Sequence, residues 1–274
     1  MKRIDAALLR AELVRPVGPY GALDVVASTG STNADLREAL VDGAGDRTVL
    51  IAEEQTAGVG RRGRTWSSPA GAGVYCSVLL RPAGVPMAAL GSLAAVAGLA
   101  VVDLTRALGV TAVLKWPNDV LAADGSGKCA GILAEAAPSE EQAVILGMGL
   151  NVAPPREPVK PGPGGLPAVA LSQLGARTTD RTEICRLLLT FLHERERRWR
   201  AADGDLASAS LLADYREHCA TLGQEVKVML PGGAHLLGLA VDVDATGALI
   251  VETSAGERRT IFAGDVVHLR PAAE

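Results

Sequence analysis

Residues 53–66 read Glu-Glu-Gln-Thr-Ala-Gly-Val-Gly-Arg-Arg-Gly-Arg-Thr-Trp, and the apolar run Val49-Leu50-Ile51-Ala52 leads straight into them. The run has the length and content of a strand, so the segment rich in glycine and arginine is the loop that leaves it. Gly58, Gly60 and Gly63 permit backbone conformations closed to residues with a Cβ and let a ligand approach the main chain. Arg61, Arg62 and Arg64 carry planar guanidinium forks that match carboxylate and phosphate. Such a loop either binds an anion or is a solvated basic turn, and the segment alone does not decide between the two.

Its neighbours in sequence narrow the choice. The loop is not a P-loop, because no Gly-Lys-Ser/Thr follows the glycines, and it is not a dinucleotide fingerprint, which opens directly into a helix. Three further segments follow in order: Lys115-Trp116-Pro117-Asn118-Asp119, Lys128-Cys129-Ala130-Gly131-Ile132-Leu133 and Gly147-Met148-Gly149-Leu150-Asn151. Two of the chain's five lysines, Lys115 and Lys128, fall in them. Arginines on a loop, a lysine on a strand, an Asn-Asp pair and the aromatic Trp66 suit a carboxylate, a nucleoside triphosphate with its magnesium, and an adenine ring to stack on. Activating a carboxylic acid as its adenylate requires two anions held together, and cationic donors aimed at that point lower the barrier.

The bulk properties set the frame. A chain of 274 residues has room for one large domain and one small one. Its net charge of −4 gives no general affinity for nucleic acid or an anionic membrane, so the loop arginines are a local concentration. The four cysteines, Cys76, Cys129, Cys185 and Cys219, lie far apart with no zinc-like spacing. They fit small core residues of a cytoplasmic protein in a reducing compartment. Residues 87–102 hold no charge, yet the stretch is short, contains Gly91, Ser92 and Gly98, and continues into Asp103 and Arg106; it reads as a buried helix and not a membrane span.

Along the chain, a short helix is expected over 4–13 and a strand over 23–26. Ser28-Thr29-Gly30-Ser31-Thr32-Asn33 follows, whose last residues cap a helix running to about Val41. A strand over 74–80, a helix over 87–108 and strands over 112–114, 120–122, 128–135 and 143–152 come next, an α+β pattern built largely of neighbouring antiparallel strands flanked by helices. Residues 153–167 hold six prolines and read as a surface loop. Ile184, Leu187, Leu188, Phe191, Leu192 and Trp199 fall at helical spacing, and a second helix runs near 211–219. From Gln224 the texture changes to five short strands between glycine-rich turns, the mark of a small barrel. The division expected is a catalytic domain over 1–220 and a small C-terminal domain over 221–274.

The motif set resembles the biotin protein ligases. That family carries, in order, a Ser-Thr-Asn, a Gln before a Gly-Arg-Gly-Arg-x-Gly-Arg loop, a Lys-Trp-Pro-Asn-Asp, a Lys-x-Ala-Gly-Ile-Leu and a Gly-x-Gly-x-Asn, and this chain has all five. The resemblance implies a mixed, largely antiparallel catalytic sheet flanked by helices, like that of class II synthetases, with an SH3-like β-barrel after it. It places Ser31, Thr32, Asn33, Gln55, Gly58, Val59, Gly60, Arg61, Lys128 and Gly131 around biotin. Arg61, Arg62, Arg64, Trp66, Lys115, Asn118 and Asn151 go to ATP or the adenylate, with Trp66 on the adenine. Lys128 and Arg61 are the implied catalytic cations, Asp119 the magnesium-side carboxylate, and Trp116 goes to packing.

The implied reaction joins biotin to ATP with Mg2+, then passes biotin to a lysine on the biotin carboxyl carrier domain of a biotin-dependent carboxylase. A lipoate or octanoate ligase shares the fold and the two-step chemistry. A biotin-responsive DNA-binding repressor is the third reading; only about two dozen residues precede the first catalytic strand, so direct DNA binding is not expected, and the charge balance and the buried-helix reading of 87–102 argue against a membrane partner. One departure stands out. Val59 occupies the place of the family's first loop arginine, which removes a cation and leaves Arg61, Arg62 and Arg64 to neutralise the anions.

Overall fold

The computed structural model describes residues 2–137, 142–155, 166–230 and 233–269. The expected elements form, most within two or three residues of their expected ends. Helices are α1 (Ala6–Leu13), α2 (Thr32–Val41), α3 (Leu93–Ala107), α4 (Arg181–Ala201) and α5 (Leu212–His218). The larger sheet comprises β1 (Ala22–Val26), β2 (Thr48–Ala52), β3 (Gly73–Leu80), β4 (Ala112–Lys115), β5 (Asp119–Ala122), β6 (Lys128–Ala137) and β7 (Ala143–Asn151), in the order β1-β2-β3-β7-β6-β5-β4. Only β1 and β2 pair in parallel, across the α2 crossover; the remaining neighbours are antiparallel. Most of the proline-rich span lies outside the described residues, as do two residues, 231 and 232, of the turn after β8.

Helix α3 packs on this sheet and against α4, which carries its apolar stripe inward: Ile184, Leu188, Leu192 and Trp199 are buried. The apolar segment Met87–Ala107 is therefore a core helix. It differs from the expected single helix in its first six residues, Met87–Ser92, which form a 3₁₀ turn before α3 begins. Buried Ser92 explains the break. Its hydroxyl donates to Ala89 O at 2.6 Å and receives the Trp199 indole N–H at 2.7 Å, so it ties the turn to α4.

The five C-terminal strands, β8 (Glu225–Met229), β9 (His235–Val243), β10 (Leu249–Glu252), β11 (Arg258–Ile261) and β12 (Asp265–His268), make one antiparallel sheet in the order β11-β10-β9-β8-β12. In a flat sheet β11 and β12 would lie four strand spacings apart, about 19 Å. Only residues 262–264 join them, and that chain reaches about 14 Å at most. The sheet must therefore curl toward closure, as an SH3-like fold does. One hydrophobic cluster runs from the large sheet into the small one, through Leu114, Trp116, Val226, Val228, Ala240 and Val266. Trp116 spans the junction: its indole donates to Gly247 O at 2.9 Å, and its backbone N–H donates to Thr221 Oγ1 at 3.0 Å.

Candidate active site

Two rows of residues across the large sheet line a cleft of about 210 Å³. One row runs Asp119, Gly131, Gly149 and Tyr75 on β5, β6, β7 and β3; the next runs Leu133, Gly147 and Ser77. Strand residues two apart share a face, so Gly147, Gly149 and Asn151 all meet the cleft. The glycines make room. A Cβ on Gly149 would lie 2.5 Å from Trp66 Nε1, and one on Gly131 would lie 3.0 Å from the Trp66 ring. Trp66 thus rests on a floor that side chains would otherwise fill, and its indole N–H is buried with no partner among the described residues.

Lys128 reaches this face through an irregularity in β6. The register shifts between Val120, opposite Ala130, and Leu121, opposite Lys128, leaving Cys129 as an extra residue. One inserted residue moves everything on one side of it to the other face of the sheet. Cys129 and Ala130 are accordingly both buried, while Lys128 joins Gly131 and Leu133 in the cleft. Its ammonium lies 2.6 Å from Asp119 Oδ1 and 5.1 Å from the centroid of the Trp66 ring. Asn118 and Asn151 hold the same strand: Asn118 Nδ2 donates to Ile132 O at 2.7 Å and Asn151 Nδ2 to Lys128 O at 3.0 Å.

At the other end, Ser31 is the N-cap residue of α2, yet its hydroxyl caps nothing. Gln55 Oε1 takes that part, accepting from Thr32 N at 2.9 Å, while Gln55 Nε2 donates to Ser68 Oγ at 2.9 Å. The Ser31 hydroxyl is left for the cleft. Asn33 is turned to the protein, with Oδ1 accepting from Ser77 at 2.6 Å and Nδ2 donating to Glu135 at 2.7 Å.

The arginine loop is a narrow hairpin, closed by Trp66 N to Gly58 O at 2.8 Å and Gly60 N to Arg64 O at 2.6 Å. The small sheet grips it. Asp265 pairs with Arg64 at 3.1 Å and Arg62 at 3.5 Å, and Arg62 also donates to Met229 O at 2.8 Å. Those contacts hold Arg62 in the left-handed region, at φ +57°. Lys115 Nζ donates to Val266 O at 2.6 Å, and burial lowers its pKa against the opposing pull of Asp119. The Arg61 guanidinium makes no hydrogen bond or ion pair among the described residues, and burial lowers its pKa too. A desolvated cation without a partner gains most from an incoming anion.

Of the residues singled out from sequence, Ser31, Thr32, Asn33, Gln55, Val59, Gly60, Arg61, Arg64, Trp66, Lys115, Asn118, Asp119, Lys128, Gly131 and Asn151 line this cleft. Gly58 and Arg62 do not: Gly58 forms the hairpin stem, and Arg62 turns to the small sheet. Asp265, Val266, Tyr75 and Ser77 also line it and had not been singled out. Ser77 carried a signal, being the polar residue with zero exposure inside the apolar run of β3.

Two family models match the chain, the biotin/lipoate A/B protein ligase family over residues 25–151 and the biotin protein ligase C terminal domain over residues 221–269. It is also 45% identical to a biotin–[acetyl-CoA-carboxylase] ligase of Mycobacterium tuberculosis, over 97% of this chain and 96% of that one. The chain belongs to the biotin/lipoate A/B protein ligase family. A biotin–[acetyl-CoA-carboxylase] ligase of Paracoccus denitrificans is 36% identical over 88% of this chain and 98% of its own length. Among solved structures, a biotin protein ligase from Aquifex aeolicus in complex with biotin and ATP matches with a TM-score of 0.74 and 28% identity, covering 92% of this chain and all of the other. Every motif of the cleft from Ser31 to Asn151 lies within the span that the first family model matches.

Proposed function

We propose that this chain is a biotin protein ligase that activates biotin with ATP to biotinyl-5′-adenylate and pyrophosphate, then transfers biotin to a lysine of an acetyl-CoA carboxylase carrier domain. One observation carries the reading: neutral hydrogen-bonding groups, Ser31, Thr32 and Gln55, share one cleft with the cations Arg61, Arg64, Lys115 and Lys128. The first set suits the polar ring of the acid, together with Gly60 and Gly131 at close approach; the second suits its carboxylate and the phosphates. Lys128, already charge-paired and seated above Trp66, is the donor best placed to stabilise charge where the carboxylate meets the α-phosphorus. Arg61 takes the other catalytic part. Trp66 stacks on the adenine, and Asn118 and Asn151 offer Oδ1 atoms to the nucleotide.

Magnesium fits as an ion that arrives with the triphosphate. Asp119 supplies one carboxylate, whose Oδ1 is on Lys128, and magnesium characteristically takes one or two carboxylates and leaves the rest to phosphate and water. No cluster of three or more His, Cys, Asp or Glu side chains forms a metal cage among the described residues. When bound, the ion neutralises phosphate charge. The nucleophile of the second step is the partner's lysine, so this chain need only hold the adenylate and exclude water. The division into 1–220 and 221–274 gives the small unit a part in this, since Asp265 holds the arginine loop. Four buried free cysteines support a reducing, cytoplasmic setting.

The test is transfer. Purified chain, biotin and ATP are incubated with an isolated carboxylase carrier domain, and the product is mapped by mass spectrometry. Biotin on a single carrier lysine is the expected result; an unmodified carrier beside active adenylation would refute the assigned acceptor.

A further inference from the structure

At the acid side of the cleft four polar side chains stand in line, Gln55, Thr32, Ser77 and Asn33, with successive contacts of 3.0, 2.6 and 2.6 Å. Both ends are fixed as acceptors. Gln55 Oε1 receives the Thr32 backbone N–H, which can only donate. Asn33 Nδ2 donates to Glu135 Oε2, which can only accept, so the Asn33 atom facing Ser77 is Oδ1. Between these two oxygens lie two hydroxyls, and two protons must serve three contacts. The two short contacts take them, Ser77 donating to Asn33 and Thr32 to Ser77. At the 3.0 Å contact Thr32 Oγ1 and Gln55 Oε1 then meet without a proton, and both residues line the cleft.

We propose that Glu135, which does not line the cleft, is a specificity-determining positioning residue: by fixing the Asn33 amide it leaves Thr32 Oγ1 and Gln55 Oε1 as a paired acceptor for a ligand N–H. Arg37 Nη2, 3.1 Å from Glu135 Oε1, completes the device by leaving Oε2 to Asn33. The inference rests on reading the cleft as the acid site. Biotin's cyclic urea carries N–H donors. The ring of lipoate and the chain of octanoate carry none, and a site built for a hydrogen bond rejects the analogue that lacks it.

Glu135→Gln should reverse the polarity. Arg37 keeps the new Oε1, so Nε2 faces Asn33; Asn33 turns its Oδ1 to Nε2 and its Nδ2 to Ser77, and three protons then fill three contacts. Calorimetric titration of wild type and variant with biotin and with lipoate, each without ATP, reads the effect. Biotin should bind roughly tenfold more weakly or worse, lipoate no more weakly than before, and the KM for ATP should not move. Glu135→Asp, which restores a carboxylate, should shift the preference back toward wild type. A merely structural role for Glu135 would weaken both acids together. Should Glu135→Gln not fold, Ser77→Ala serves, since it frees the Thr32 proton for Gln55 and predicts the same narrowing. An unchanged ratio of biotin to lipoate affinity in a folded variant overturns the inference. Wild-type protein that does not bind biotin would instead overturn the reading of the cleft.

Discussion

Replacing Lys128 by alanine removes a cation from the cleft and strands a carboxylate. The ammonium lies 2.6 Å from Asp119 Oδ1, so Lys128→Ala leaves Asp119 uncompensated beside the incoming phosphates. Loss of one preorganised donor to a developing anion costs about 2.7–4 kcal/mol, or roughly 10²–10³ in rate. Two unit charges about 5 Å apart at an effective dielectric near 20 repel by about 3 kcal/mol. Asp119 is 21% exposed in its side chain, and solvent reduces that repulsion to about 1–2 kcal/mol. Adenylation should therefore fall by roughly 10³–10⁴. Adding Asp119→Asn removes the repulsion but also the magnesium-side carboxylate, so the double variant should be no faster than the single one, a non-additivity expected of groups in contact. The assay is biotin-dependent exchange of pyrophosphate into ATP at saturating substrates. Lys128→Ala within tenfold of wild type would refute the assigned role, and a double variant faster than the single one would refute the magnesium-side role of Asp119.

Other expectations follow from the same geometry. Gly149→Ala places a methyl 2.5 Å from Trp66 Nε1; it should displace the indole, at a cost of about 1–3 kcal/mol to the site, and raise the KM for ATP while changing the Trp66 contribution to fluorescence. Val59 lines the cleft without a charge, so Val59→Arg, by adding a cation to the loop, should lengthen the retention of biotinyl-adenylate in a single-turnover release assay; an unchanged release rate would show that the missing cation does not limit retention. Burial, with Lys115 nearby, holds His268 down at about 4, below the usual 6.5. Between those values the unfolded chain binds the extra proton, so stability is complete above about pH 6.5 and declines as pH falls toward 4, with a slope below the roughly 1.4 kcal/mol per pH unit of one full proton because His268 is only half-buried. Urea titrations across that range should show the decline, and His268→Asn should flatten it.

The order and type of the elements were legible because apolar periodicity changes from 3.6 to 2 along the chain, with glycine and proline between. The site was legible in so far as its residues sit in short motifs. The Lys128-Cys129-Ala130-Gly131 segment shows where that reading stops: an alternating strand would put Lys128 and Gly131 on opposite faces, and only the bulge at Cys129 brings them together. A bulge is decided by the partner strand, which one sequence does not reveal. Asp265 lies about two hundred residues from the arginines it holds, and nothing local marks it, because the junction of the two sheets makes the contact. Glu135 reads as an ordinary strand-end acid until its partners, Asn33 and Arg37, are brought across by α2. The break before α3 likewise depends on Trp199 reaching Ser92 from α4.

Adenylation and its substrate are tested together by exchange of pyrophosphate into ATP by the purified chain, with biotin, lipoate and octanoate offered separately and magnesium present. Exchange should depend on biotin and be weak or absent with the other two acids. Exchange driven equally well by lipoate or octanoate would contradict the assigned substrate, and no exchange with any of the three would contradict the assignment of the cleft to adenylation.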